Sequence, residues 1–96
     1  MKTAYIDLIK TALKRGFTVS VWDGEAWQVK RSNSLRKIVE AVKSVEEAEL
    51  RIRQGDNVYG WALVSAYGLE PEETVIDTTD SAFMTEWSEA YEATLV

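Results

Sequence analysis

The sequence contains no cysteine and no histidine. The absence of cysteine excludes a disulfide framework, a thiolate metal site and a sulfur nucleophile. The absence of histidine removes the side chain whose unperturbed pKa lies nearest neutrality, and with it the usual general base and the commonest metal ligand. We therefore expect that the protein is not an enzyme, and we predict no catalytic residues, no metal site and no cofactor.

Long apolar runs are also missing. No stretch approaches the ~18 consecutive apolar residues of a membrane-spanning helix. The amino-terminal segment carries Asp7, Lys10 and Lys14 within its apolar pattern, which predicts an amphipathic helix rather than a signal peptide. These observations predict a cytoplasmic protein that does not contact a membrane.

What is present is the composition of a small globular domain. The chain has 96 residues, of which 46% are hydrophobic. This length is slightly above the ~70–80 residues below which small folds usually need disulfides or metals. We predict one domain, residues 1–96, with a single core.

Hydrophobic periodicity predicts the order of the secondary structure. Apolar residues recur at helical spacing in residues 3–15, in residues 35–43 and after Asp80, which is the predicted N-cap of the last helix. Alternating segments predict strands at residues 17–22, 27–30, 48–53, 58–67 and 74–79. The order α-β-β-α-β-β-β-α predicts an α+β fold, with an antiparallel sheet of four to five strands and helices packed mainly on one face.

The two predicted hairpins fix the expected positions of two tryptophans. In the first hairpin, a three-residue loop, Trp22–Gly24, sets Val19 opposite Trp27 and keeps one face apolar. In the second, a two-residue Gly55–Asp56 turn places Trp61 on the apolar face of its strand. Both tryptophans are therefore predicted to lie in the core.

The other two tryptophans differ in their predicted environment. Trp87 lies on the apolar stripe of the last helix and is predicted to be in the core. Trp22 lies at the tip of the first hairpin, away from the apolar face. It either closes the turn by packing across the hairpin or is an exposed anchor for a partner.

Charge is distributed unevenly along the chain. Residues 1–53 contain all 11 Lys and Arg with 7 acidic residues, whereas residues 54–96 contain 9 acidic residues and no basic one. One interpretation is that the second half forms a negative surface that contacts a basic host protein, or that mimics nucleic acid with carboxylates in place of phosphates. The residues of this predicted acidic surface are Glu70, Glu72, Glu73, Asp77, Glu86, Glu89 and Glu92.

The basic half supports a second interpretation. Trp22, Lys30, Arg51 and Arg53 are predicted to share the sheet face away from the helices, and basic and aromatic side chains together are typical of single-stranded nucleic-acid binding. The net charge of −5 disfavours nucleic acid as a partner. A third interpretation is that the two halves neutralise each other, within one molecule or between two copies in a homodimer.

The densest acidic stretch, from Glu70 to Asp80, allows a carboxylate site for Mg²⁺ or Ca²⁺. The alternative is a solvated loop followed by a strand and a helix cap. The spacing does not match a calcium-binding loop, so we predict the loop. A carboxylate-dependent enzyme is therefore the least favoured function that the sequence allows.

The run Val19–Arg31 (VSVWDGEAWQVKR), together with Gly60–Val64 and Glu72–Asp77, resembles small acidic accessory proteins encoded by bacteriophages and prophages. The resemblance covers most of the chain. It implies binding to a host protein and carries over no catalytic residues. Residues and resemblance together predict a non-enzymatic binding protein, with a nucleic-acid-binding module as the alternative.

Overall fold

The computed structural model describes residues 3–95, so Met1, Lys2 and Val96, which the predicted domain includes, lie outside the described residues. Within residues 3–95 no helix is long and apolar enough to cross a membrane. The helices are α1 (Ala4–Lys14), α2 (Leu35–Lys43) and α3 (Ala82–Ala93). The strands are β1 (Thr18–Trp22), β2 (Trp27–Ser32), β3 (Ala48–Gln54), β4 (Asn57–Val64) and β5 (Val75–Thr78), with a short 3₁₀ helix, η1 (Pro71–Glu73), before β5.

The five strands form one antiparallel sheet in the order β2-β1-β3-β4-β5. β3 is the central strand, and β2 and β5 are the edges. The helices pack on one face of the sheet, where α1 and α2 contact β1 and α3 contacts β4. The predicted α+β fold and element order are confirmed, with five strands in the sheet.

Polar side chains fix where α2 and α3 begin. Ser34 is the N-cap of α2, and its side-chain oxygen accepts a hydrogen bond from the backbone N–H of Lys37 at 3.4 Å. The N-cap of α3 is Ser81, one residue after the predicted Asp80. The Ser81 hydroxyl makes no capping bond to α3; it donates to the carbonyl of Tyr59 at 2.7 Å and so ties the start of α3 to β4.

The core lies between the sheet and the helices. As predicted, Trp87 belongs to it, and its indole N–H donates to a carboxylate oxygen of Asp7 at 2.9 Å. Gly60 on β4 lies so close to α3 that an added Cβ would be 2.3 Å from Cγ of Met84. The largest fully buried side chains are Leu8, Ile9, Ile38, Leu50, Ile52, Met84, Val19, Val21, Val42 and Val64.

The β1–β2 hairpin does not have the predicted register. Trp22 pairs with Trp27, and Val21 pairs with Val29, so β2 has one more residue than β1 between these two pairs. This extra residue places Trp27 and Val29 on opposite faces, although alternation assigns residues two apart to the same face. Val29 packs against the core as predicted, whereas Trp27 does not.

A four-residue turn, Asp23–Ala26, connects these two strands. The Asp23 carboxylate accepts hydrogen bonds from the backbone N–H groups of Ala26 at 2.7 Å and Glu25 at 2.8 Å, and from the side chain of Gln28 at 2.5 Å. These bonds, led by that from Ala26, hold the pKa of the Asp23 carboxyl below its ordinary value. An aspartate that closes its own turn in this way replaces the predicted three-residue loop.

The β3–β4 hairpin has the predicted two-residue Gly55–Asp56 turn but carries a bulge beyond it. The register shifts by one residue at Tyr59, whose ring turns inward and stacks on Phe17 with the ring centroids 4.6 Å apart. The shift moves Trp61 to the opposite face from the one predicted. The pairs along this hairpin are Gln54 with Asn57, Arg53 with Val58, Ile52 with Gly60 and Arg51 with Trp61.

Candidate functional site on the outer sheet face

The sheet face that carries no helix is the outer face. Its side chains alternate along each strand with buried side chains such as Val21, Leu50 and Ala62. Cross-strand pairing aligns the outward side chains in two adjacent rows. The first row is Trp27, Trp22, Glu49, Leu63 and Asp77, and the second contains Ser20, Arg51 and Trp61.

Three of the four tryptophans lie on the outer face. Trp22 and Trp27 pack edge to face, with ring centroids 5.0 Å apart and planes at 64°. Trp22 is therefore half-buried and packs across its hairpin. Trp61 is 38% exposed on β4. The prediction that Trp27 and Trp61 lie in the core is wrong, because each hairpin contains an extra residue next to its tryptophan.

Arg51 connects these indoles. Its guanidinium carbon lies 4.0 Å from the ring centroid of Trp61 and 5.0 Å from that of Trp27. Its Nε is buried without a hydrogen-bond partner, and Arg51 makes no ion pair within residues 3–95. The two indole rings are therefore the main stabilising contacts of this cation among residues 3–95.

A depression of about 240 Å³ lies beside Trp27 on the half of the outer face that includes β2, β1 and β3. It is lined by Ser20, Trp27, Lys30, Arg31 and Arg53. We call this the basic depression. It brings together Lys30 and Arg53 from the predicted basic and aromatic face, and it adds Arg31 and Trp27, which the sequence did not place on that face.

The other half of the outer face is acidic. Glu49 pairs with Leu63, and Leu63 pairs with Asp77 across β3, β4 and β5. A shallow depression of about 170 Å³ lies here beside Trp61. The outer face therefore has a charge gradient, from the basic depression at one end to two carboxylates at the other.

The predicted acidic surface is spread over several elements. Asp77 points outward from β5, and the remaining six residues lie on or near η1 and on α3. Glu86 forms an ion pair with Arg15, which uses one of the predicted residues in a contact within the molecule. Those on or near η1 are Glu70, Glu72 and Glu73, and those on α3 are Glu86, Glu89 and Glu92.

A groove of about 320 Å³ between β5, η1 and α3 brings three of these residues together. Glu72, Asp77 and Glu92 line it beside Ile76 and Leu95, which are exposed apolar side chains. One carboxylate oxygen of Glu72 is buried without a hydrogen-bond partner. The groove combines negative charge with apolar surface.

The described residues offer few groups for acid–base or metal chemistry. Within residues 3–95, no three acidic side chains lie close enough to hold a metal ion. Burial, and then the negative charges of Asp7 and Glu72, raise the pKa of the Tyr91 phenol above its ordinary value.

In comparisons with known proteins, no family model, curated protein or solved structure matches this chain significantly.

Proposed function

We propose that this chain is a non-enzymatic binding protein of the cytoplasm whose outer face binds single-stranded nucleic acid. The observation that carries the proposal is Arg51, which makes no ion pair within residues 3–95 and lies over Trp27 and Trp61 on the face of the sheet that carries no helix. Bases stack on indole rings and on guanidinium planes, while basic side chains neutralise the phosphates. The outer face supplies both kinds of group within one patch.

Charge separation makes this function compatible with a net charge of −5. Six of the seven residues of the predicted acidic surface lie on or near η1 and on α3, and α3 belongs to the helical layer on the other side of the sheet. At physiological ionic strength the Debye length is about 8 Å, so these carboxylates are largely screened from a ligand on the outer face. The local balance around the basic depression therefore governs attraction more than the total charge does.

The exposed indole favours unpaired bases over a duplex. Trp61 lies on a broad sheet surface, which does not fit into a duplex groove as a helix or a two-stranded ribbon does. Unpaired bases expose their ring faces and can stack on Trp61 without regard to sequence. We therefore expect a preference for single strands with little base specificity.

A titration of Trp fluorescence with oligo(dT) and oligo(rU) at 50 mM salt tests the proposal. Trp61→Ala should weaken binding about tenfold, because base–aromatic stacking contributes about 1–3 kcal/mol per base. Arg51→Gln should weaken it as well, because the positive charge and the cation that packs against both indole rings are lost. Glu89→Gln on α3 is the matched control and should leave the affinity unchanged. Equal affinities for all four proteins, or tighter binding of duplex DNA, would contradict the proposal.

A second candidate function is binding of a basic host protein by the acidic surface, as the resemblance to phage and prophage accessory proteins implies. The groove lined by Glu72, Asp77 and Glu92 supports this candidate, because it combines carboxylates with exposed apolar side chains. A pull-down from bacterial lysate tests this candidate by comparing the host proteins that the wild type and the Glu72→Gln/Glu92→Gln variant retain. A host protein retained equally by both would exclude the groove as its binding site.

A further inference from the structure

The basic depression is built by an irregularity in β2. Val19 pairs with Ser32 and Val21 with Val29, so three steps along β2 match two steps along β1. The extra residue places both Lys30 and Arg31 opposite Ser20. In a regular strand, these two neighbours would point to opposite faces of the sheet.

Arg31 adopts an unusual backbone conformation at this bulge. Its φ is +44°, and it is the one residue other than glycine with a positive φ among residues 3–95. Its backbone N–H donates to the hydroxyl oxygen of Ser20 at 2.8 Å, which holds the bulge in place. Strained backbone at a residue that lines a concavity is a common feature of ligand-binding sites.

The side chains around the depression suit a phosphate group. Lys30, Arg31 and Arg53 supply three positive charges, and Ser20, which is 4% exposed, supplies a buried hydroxyl. The Ser20 oxygen accepts from Arg31, so its hydroxyl hydrogen is available for donation to a ligand oxygen. Lys30 and Arg53 make no ion pair within residues 3–95.

One carboxylate competes for these cations. Asp56 lies 3.8 Å from the Arg31 guanidinium, but its side chain is fully exposed. An exposed ion pair of this kind contributes little to stability, so a phosphate can replace the Asp56 carboxylate with a small loss of free energy. The depression also borders Trp27, which places a surface for base stacking beside the three cations.

From this arrangement we propose that the basic depression is a phosphate subsite that anchors one phosphate group of the single strand, with the adjoining base on Trp27. The inference rests on the proposed function, because it assigns a position to the backbone of the same ligand. Arg53, Lys30 and Arg31 are the phosphate contacts. Trp61 lies outside the depression and contacts a base, and Arg51 packs against Trp61 and Trp27.

The salt dependence of oligo(dT) binding separates these roles. For single strands, a plot of log K against log salt concentration has a negative slope, whose magnitude increases by about 0.7 for each phosphate that the protein neutralises. Because these cations share one phosphate, the double variant Arg53→Gln/Lys30→Gln should weaken binding and reduce the magnitude of the slope by up to about 0.7, and Arg53→Lys should keep the wild-type slope. Trp61→Ala, the matched control, should weaken binding with an unchanged slope.

Two results would overturn the inference, and they are distinguishable. If the wild type binds and Trp61→Ala weakens binding, but Arg53→Gln/Lys30→Gln keeps the wild-type slope, the phosphate subsite is wrong and the proposed function stands. If the folded wild type does not bind at 50 mM salt, both proposals are wrong. Near-UV circular dichroism of each variant verifies that the tryptophan packing is intact.

Discussion

Arg31 is the residue at which stability and binding are expected to conflict. A bulky side chain at a φ of +44° strains the backbone, whereas glycine adopts such an angle freely. The Arg31 side chain nevertheless lines the basic depression. A residue that costs stability and supplies a charge to a concavity fits a site selected for a ligand.

Replacing Arg31 with glycine tests this conflict. Arg31→Gly should raise the free energy of unfolding by up to about 1 kcal/mol, because the strain is relieved, and should weaken nucleic-acid binding. Urea denaturation measures the first effect and fluorescence titration the second. Lys30→Gly, at the neighbouring position without positive φ, should instead lower stability by about 0.5–1 kcal/mol. Equal losses of stability in the two variants would contradict this explanation.

At the scale of elements, the contact between β4 and α3 depends on the absence of a side chain. Gly60 is buried under Met84, and a Cβ at this position would lie 2.3 Å from Cγ and 2.7 Å from Sδ of that residue. Met84 is fully buried, so it has little space into which to move. The close approach of α3 to the sheet therefore requires glycine at position 60.

Gly60→Ala should lower the free energy of unfolding by about 1–3 kcal/mol through overpacking. The double variant with Met84→Ala removes the side chain that the new methyl group meets. Its loss of stability should be smaller than the sum of the two single losses, since the cavity left by Met84 accepts the methyl group. Urea denaturation of the four proteins gives this coupling energy, and additive losses would show that the contact does not limit the packing.

The elements themselves were largely predictable from the sequence, because helical and alternating periods reflect burial on one face. Which side chains of β2 and β4 face the core was not predictable in the same way. Between Trp27 and Val29, an extra residue reverses the alternation without a glycine or proline to mark it. At Tyr59 the adjacent Gly60 is a local signal of a bulge, but simple alternation does not take it into account. The sequence therefore placed Trp27 and Trp61 in the core, and the outer face showed its aromatic cluster only once the strand pairing was known.

The candidate site was predictable in part for the same reason. Trp22, Arg51 and Arg53 lie on regular stretches of β1 and β3, and simple alternation assigns them to the outer face. Arg31 joins the site through a bulge and a left-handed backbone angle, which no local sequence signal encodes. Its role follows from tertiary packing against Ser20.

For the whole molecule, the uneven charge along the chain becomes a separation in space. Basic residues gather at one end of the outer face, and six residues of the acidic surface lie on or near η1 and on α3. The Arg15–Glu86 ion pair joins a basic residue of the first half to an acidic residue of the second half, as expected if the two halves neutralise each other. This pair connects the end of α1 to α3 and lies away from the outer face. The two surfaces can therefore act independently.

This independence predicts different effects of equal changes in net charge. Glu89→Gln/Glu92→Gln on α3 should change oligo(dT) affinity less than twofold at physiological salt, because the charges are screened from the outer face. Glu49→Gln/Asp77→Asn on the outer face should strengthen binding several-fold, because two carboxylates that repel the phosphates are removed. Fluorescence titration with oligo(dT) compares the affinities of the two variants with that of the wild type. A larger effect of the α3 variant would indicate that total charge controls binding.

The most direct test of binding on the outer face is to follow the indole N–H signals of the four tryptophans by ¹H–¹⁵N NMR during titration with oligo(dT) at 50 mM salt. Trp87 is buried in the core and hydrogen-bonded to Asp7, so its signal is an internal reference that binding to the outer face should not shift. Binding to the outer face predicts progressive shifts for Trp22, Trp27 and Trp61 and none for Trp87. Unchanged signals for all four tryptophans, or a shift of Trp87 alone, would contradict it.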